Sequence, residues 1–339
     1  MSASYSSAGI NLNQMEILKD TFKAFGNLTN TEHVINNAGS FAGLYKLPNF
    51  QNPILVAGTD GVGTKLKISA AMGHYESLGK DLVVANANDI LCKGAQPLFF
   101  LNYIAFSKFN QHMLESLMKG MVWACKSLDC SLISGETANM PGVYEDNEFD
   151  LAGFIVGAVE ENELIHAQDV TAGDSVYALS SNGIHTNGYS LVRQVFDLDS
   201  DTAPLFQYMD ELQHTLGEEL LQPHRNYYPI LKDSFNIIKG LAHITGGGMP
   251  GKIKSVLPAG HGIIIDRKSW NIPAIFNMIQ RKGNVTDAEM FNVFNMGIGM
   301  VIVIDPSNEH LIEKAIPESF KIGNITPIES GSQQPVQFR

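Results

Sequence analysis

The sequence predicts a two-domain α+β protein, and three observations carry that expectation. Its 339 residues, 44% of them hydrophobic, suffice for roughly two compact cores. Apolar strands and amphipathic helices alternate along it, but without the strict βαβ repeat of a doubly wound sheet. Between residues 160 and 174 the apolar pattern relaxes into a charged connection. An N-terminal domain is therefore expected over residues 1–165 and a C-terminal one over 170–339.

In the first half, Met15, Leu18, Phe22 and Phe25 recur at helical spacing, with Lys23 off that face. Gly39-Ser-Phe-Ala-Gly43 reads as a loop. Ile54 to Ala57 has the composition of a buried strand, and a helix is expected from about Gly79 to Lys93, with Gly94 as its C-terminal cap. Pro97–Phe106 is the next strand, and a long helix carries Met113, Leu114, Leu117, Met118, Met121, Val122, Cys125 and Leu128 on its apolar side. Short strands follow at Ser131–Ile133 and Leu151–Val159, the latter with Gly153 and Gly157 marking close backbone approach or a bulge. In the second half, a strand at Ser175–Ser180, a loop and a helix over Tyr189–Phe196 are expected. A helix through Tyr228–Lys239, strands at Gly262–Asp266 and Gly299–Ile304, and a helix near Pro273–Arg281 complete the pattern.

A net charge of −12 argues against broad nucleic-acid binding, which needs a basic face. No apolar run approaches a membrane span. Cys92, Cys125 and Cys130 form no C-x-x-C pair, so neither a structural zinc nor a disulfide framework is expected. The residues before Ile10 lack a signal-peptide core, and a soluble, cytoplasmic protein is the expectation.

The chemistry concentrates in knots of glycine and polar residues. Gly58-Thr-Asp-Gly-Val-Gly-Thr-Lys65 places Asp60, Gly61, Gly63, Thr64 and Lys65 at the end of a strand. A carboxylate can hold Mg²⁺ there, while an amine and exposed backbone N–H groups face phosphate oxygens. The order differs from a Walker A loop, because the acid precedes the glycines. An ordinary tight turn is the competing reading. Asn86, Asn88 and Asp89 lie on the following helix, with Asp89 either a second carboxylate for that metal or a structural hydrogen-bonding group. Gly135-Glu-Thr-Ala-Asn-Met-Pro-Gly142 reads as a loop at a strand end, a site loop around Glu136 or a plain surface turn. Ser181-Asn-Gly-Ile-His-Thr-Asn-Gly188 precedes a helix whose N-terminus suits an anion, and His185 is a candidate for proton transfer or for a structural role. His243-Ile-Thr-Gly-Gly-Gly248 exposes backbone donors at Thr245, Gly246 and Gly247 for a phosphate, or is a flexible loop.

Taken together these motifs resemble the phosphoribosylformylglycinamidine cyclo-ligases, also called aminoimidazole ribonucleotide synthetases. The resemblance covers almost the whole chain, from Tyr5-Ser-Ser-Ala-Gly9 through Asn88-Asp89 and Gly94-Ala-Gln-Pro-Leu-Phe-Phe100 to Phe294-Asn-Met-Gly-Ile-Gly-Met300. It implies an N-terminal α/β domain whose sheet joins that of a dimer mate in a shared barrel, a C-terminal α+β domain, and a nucleotide cleft between them. It implies ATP-dependent closure of formylglycinamidine ribonucleotide to aminoimidazole ribonucleotide, ADP and phosphate. Asp60 and Asp89 would hold Mg²⁺, with Glu136 as a third metal group. Lys65 and Lys23 would face phosphates, Lys23 and His185 standing as the catalytic candidates. Thr186 and Asn187 would contact substrate, while Gly61, Gly63, Thr64, Thr245, Gly246 and Gly247 would contact phosphates. The chain departs from the family pattern at Ser40, Ala42, Asn102 and Asn139, and not at Asp60, Asp89 or Glu136. The alternatives are another ATP-using enzyme of the same superfamily, of selenophosphate synthetase or thiamine-monophosphate kinase type, or an inactive nucleotide-binding scaffold. Cys92, the first cysteine, lies inside a helix, and the chain ends Pro335-Val-Gln-Phe-Arg339 rather than in a cysteine tail.

Overall fold

The computed structural model describes residues 12–36, 42–328 and 335–339. The Tyr5–Gly9 motif and residues 39–41 of the expected glycine loop lie outside them. Contacts divide the chain into two units, Met1–Ile90 with Gln96–Glu160, and Leu91–Ala95 with Glu161–Arg339. Each is a mixed sheet with helices, so the protein is a two-unit α+β fold. No helix among the described residues is long and apolar enough to cross a membrane.

The first unit opens with α1 (Leu12–Asn27) and a short pair, β1 (Val34–Asn36) and β2 (Leu44–Tyr45). Then follow β3 (Pro53–Gly61), α2 (Lys65–Met72), α3 (Glu76–Leu91), β4 (Gln96–Phe106), α4 (Gln111–Ser127), β5 (Ser131–Asn139) and β6 (Phe149–Glu160). Four strands form a sheet in the order β3-β6-β4-β5, in which only β4 and β5 run parallel. Strand alternation gives this sheet two faces. One carries the buried Ile155, Phe100 and Ile104 and packs on α3; the other carries Leu55, Phe154 and Tyr103, exposed by 62%, 41% and 37%. Gly153 and Gly157 let α3 settle on the inner face, since a methyl at residue 157 would lie 2.7 Å from Ile90 Cδ1. Both glycines serve close approach, and Gly157 also lies where the β4–β6 register shifts between Pro97 and Phe99.

Helices α3 and α4 cross backbone to backbone. A methyl at Gly79 would run into the Leu117 carbonyl and lie 2.9 Å from Met121 N, and one at Gly120 would run into the Glu76 carbonyl and lie 2.9 Å from Lys80 N. Asn110 caps α4 by accepting a hydrogen bond from Met113 N at 3.0 Å. The strand expected at Ser131–Ile133 continues through Asn139. Gly135–Asn139 is therefore ladder rather than loop, because β4 offers a parallel partner that outweighs the turn-like composition.

The second unit contains β7 (Ser175–Ser180), α5 (Tyr189–Phe196), the hairpin β8 (Tyr208–Met209) and β9 (His214–Thr215), α6 (Leu216–Leu220), α7 (Tyr228–Leu231) and β10 (Ile238–His243). It continues through α8 (Gly248–Ile253), β11 (His261–Ile265), α9 (Ala274–Gly283), α10 (Asp287–Val293), β12 (Ile298–Ile304), α11 (Glu309–Ala315), β13 (Phe320–Pro327) and β14 (Val336–Phe338). The six-stranded sheet runs β10-β12-β7-β13-β11-β14. Its interior strand β12 is buried at every residue, matching its unbroken apolar run. The helix expected over Tyr228–Lys239 breaks. Only Tyr228–Leu231 is α-helical, Lys232–Ile237 is a 3₁₀ segment, and Ile238 onward is strand. Pairing of Ile238 with Ile304 claims the end of the expected helix as strand.

Candidate functional site

The glycine turn after β3 is built on the inner face of the first sheet. Asp60 is exposed, and its Oδ1 accepts a hydrogen bond from the N–H of Gly61 at 2.8 Å. Val62 is fully buried and anchors the turn, and Gly63 takes a positive φ of 59° that favours glycine. Thr64 stands at the N-cap of α2. Lys65 departs from expectation. Its Nζ lies 2.7 Å from Asp81 Oδ2, and both side chains are wholly buried. An amine committed to a buried carboxylate does not present itself to phosphate, so Lys65 shapes the turn from beneath.

Beside the turn, Asn86 Nδ2 donates to the Asp60 carbonyl at 3.3 Å and to the Leu82 carbonyl at 2.8 Å. Gly58 faces Ile90 Cγ2, so α3 runs antiparallel to β3, and the exposed Asp89 lies one turn beyond Asn86. Glu136 does not join this pair. The sheet registers align Asp60, Gly153, Asn102 and Gly135 in one row, and Gly61, Ala152, Tyr103 and Glu136 in the next. Adjacent rows point to opposite faces, so Glu136 falls on the outer face with Tyr103. Among the described residues, Asp60, Asp89 and Glu136 do not form a three-ligand cluster. Asp60 and Asp89 are both exposed, and carboxylate oxygens are hard ligands of the kind that Mg²⁺ takes. Lys23 is exposed on α1.

In the second unit, Ser181–Gly188 and His243–Gly248 come together. Asn187 Nδ2 would lie 3.5 Å from a methyl at Gly246. His185 is buried at a positive φ of 65°, and its Nε2 faces the backbone N–H groups of Asn182 at 3.2 Å and Arg225 at 3.5 Å. A nitrogen that accepts from backbone donors carries no proton, so His185 is the Nδ1–H tautomer. Thr186 is buried, whereas Gly246 and Gly247 are exposed at the start of α8. Asn295 pins the first loop, its Nδ2 donating to the Gly183 carbonyl at 3.0 Å. Tyr227 donates to the Ser180 carbonyl at 2.9 Å. Burial holds its phenol well above the usual range, although the nearby Arg225 acts in the opposite sense.

Sequence reasoning missed His224. It sits in Gln222-Pro-His-Arg225, a segment without apolar periodicity. Its ring stacks on His185, with centroids 3.8 Å apart and planes at 22°, and its Nε2 lies 2.8 Å from His243 Nε2. The ligand atoms of the three histidines fall within 4.8 Å of one another. Direction argues against a metal. Lone pairs of stacked, near-parallel rings do not converge on one ion, and two nitrogens on a tetrahedral zinc stand about 3.3 Å apart. The cluster is a hydrogen-bonded stack.

Residues 40–159 match the family described as AIR synthase related protein, N-terminal domain, and residues 171–332 match its C-terminal domain. The chain belongs to the AIR synthase family. Relatives in this family include phosphoribosylformylglycinamidine cyclo-ligases. One from Caldicellulosiruptor saccharolyticus is 46% identical over 336 residues, and one from Caldicellulosiruptor bescii is 44% identical over 335. Each match spans 96% of this chain and 98% of the relative. Among solved structures, thiamine-monophosphate kinase from Stenotrophomonas maltophilia superposes with a TM-score of 0.69 at 14% identity, covering 94% of both chains. At that identity the likeness speaks for the AIR synthase fold alone.

Proposed function

We infer that the chain is a phosphoribosylformylglycinamidine cyclo-ligase of purine biosynthesis. The carrying observation is end-to-end identity of 44–46% with proteins of that name. The reaction closes the imidazole ring of formylglycinamidine ribonucleotide at the expense of ATP. A formamide oxygen is a poor leaving group. Attack of that oxygen on the γ-phosphorus releases ADP and leaves the oxygen phosphorylated. The amidine nitrogen then bonds to the formyl carbon, the C–O bond breaks, and phosphate departs with the former formamide oxygen. Protons shed by nitrogen complete the balance.

Several assignments follow as part of this reading. The open backbone at Gly61, Gly63 and Thr64 faces ATP phosphates, with Lys65 and Asp81 holding the turn. Asp60 and Asp89 hold Mg²⁺, which when bound offsets the negative charge of the phosphates. Glu136 is set aside as a ligand on its placement. Lys23, exposed on α1, remains a candidate for phosphate contact. Thr245, Gly246 and Gly247 offer donors to a phosphate group, and Thr186 and Asn187 contact the ribonucleotide. His185, with Nε2 turned to the backbone, positions substrate rather than relaying protons through that atom. The exposed apolar face of the first sheet, with Leu55, Phe154 and Tyr103, supports a homodimer that closes a shared barrel. A cytoplasmic location goes with this pathway.

The decisive experiment supplies ATP, Mg²⁺ and formylglycinamidine ribonucleotide and detects the aminoimidazole product colorimetrically. Product formation with one ADP per ring is expected. ATP consumption that ignores the ribonucleotide would point to another enzyme of the superfamily, and no turnover to a scaffold.

A further inference from the structure

His224 is nine-tenths buried and more, in a segment between α6 and α7 that belongs to neither glycine loop. It nevertheless touches both. One face of its ring lies on His185 at 3.8 Å, and its Nε2 meets His243 Nε2 at 2.8 Å. A nitrogen–nitrogen contact of that length needs one donor and one acceptor, so the facing nitrogens of the two rings carry a single proton between them. Two protonated Nε2 atoms would oppose N–H to N–H, and two bare ones would oppose lone pairs. With both rings neutral, His224 and His243 are therefore held in opposite tautomers. His243 closes β10, and Thr245 and Gly246 follow it within three residues.

We propose that His224 is a positioning residue for the cyclisation, tying the His185 loop to the Thr245–Gly247 loop and fixing which nitrogen of His243 carries its proton. The kinetic consequence rests on the cyclo-ligase reading; the tautomer does not. Gly299 makes room for the arrangement, because a methyl there would lie 2.7 Å from His185 Cε1 and collide with the Tyr227 hydroxyl. A β-carbon at that position would displace the stack that His224 sits in.

The test compares wild type with His224→Phe and His224→Gln in the full chain. Phenylalanine keeps the ring on His185 and removes the nitrogen; glutamine supplies an amide that donates or accepts. Long-range ¹H–¹⁵N spectra of protein labelled with ¹⁵N-histidine read the tautomers directly. Wild-type His243 should show one fixed tautomer, His224→Phe should release it to exchange, and His224→Gln should restore it. Kinetics should show a KM for the ribonucleotide raised about tenfold in His224→Phe with turnover nearly kept, and recovery in His224→Gln. An unchanged His243 tautomer in His224→Phe overturns the proposal, as does a released tautomer with wild-type KM. Should His224→Phe fail to fold, His224→Asn, whose shorter amide falls away from His243, is read by the same two criteria. If wild type makes no aminoimidazole product, the cyclo-ligase reading falls, and the spectra still decide whether His224 sets the tautomer.

Discussion

Lys65 Nζ and Asp81 Oδ2 meet at 2.7 Å with neither side chain reaching solvent. They join the first residue of α2 to α3, immediately behind the turn that carries Asp60. Two buried charges are costly to desolvate, but removing one leaves the other uncompensated. Asp81→Ala should therefore lose about 3–5 kcal/mol in urea unfolding, and Lys65→Met a similar amount. The double variant Lys65→Met/Asp81→Leu should recover much of that loss. A double variant as unstable as the sum of the singles would show that the two charges do not offset one another.

Asp60 is exposed, and an amide oxygen can still accept the Gly61 N–H that its Oδ1 accepts. Asp60→Asn should thus keep its unfolding midpoint while losing at least about tenfold in turnover, as expected for a metal-holding carboxylate. Turnover within about threefold of wild type would remove Asp60 from the metal assignment.

The outer face of the first sheet presents Leu55 and Phe154 at 62% and 41% exposure. Placing a charge at its centre with Phe154→Asp should oppose burial of that face against a second copy. Sedimentation should then find wild type as a dimer and the variant as a monomer at micromolar concentration. A monomeric wild type with full activity would end the shared-barrel reading.

His185 takes a positive φ, which asparagine tolerates better than most residues. With Nε2 turned to Asn182 and Arg225, an amide oxygen can take over the acceptor role. At least one of His185→Asn and His185→Gln should keep most of the turnover and raise KM. A loss of roughly 10²-fold in both would assign proton transfer to the imidazole.

Much of this architecture was legible in the sequence because burial leaves a periodic trace. The strand Ser175–Ser180 and the helix Tyr189–Phe196 have the bounds that periodicity gives them. The break at Lys232 left no such trace, since Leu231, Ile237 and Ile238 fit a helix until β12 claims the chain as strand. At the site, the glycine knots announced themselves by composition. The direction of side chains did not. Lys65 reads as a phosphate ligand until Asp81, sixteen positions on, is seen to meet it in the interior. Glu136 reads as a metal ligand until the β4–β5 register turns it to the other face. His224 has no glycine neighbour and no pattern, and its meaning lies wholly in two rings brought to it by tertiary packing.

The crossing of Gly79 and Gly120 acts as a ruler. Since each glycine seats against the other helix's backbone, α3 cannot slide along its own axis without unseating both contacts. Asp89 rides on that same helix, ten residues past Gly79. The position of this carboxylate along the sheet is thus set in part at a point remote from it, on α4. One added methyl at residue 120 would push on α3, and so on Asp89, without replacing any polar residue of the site.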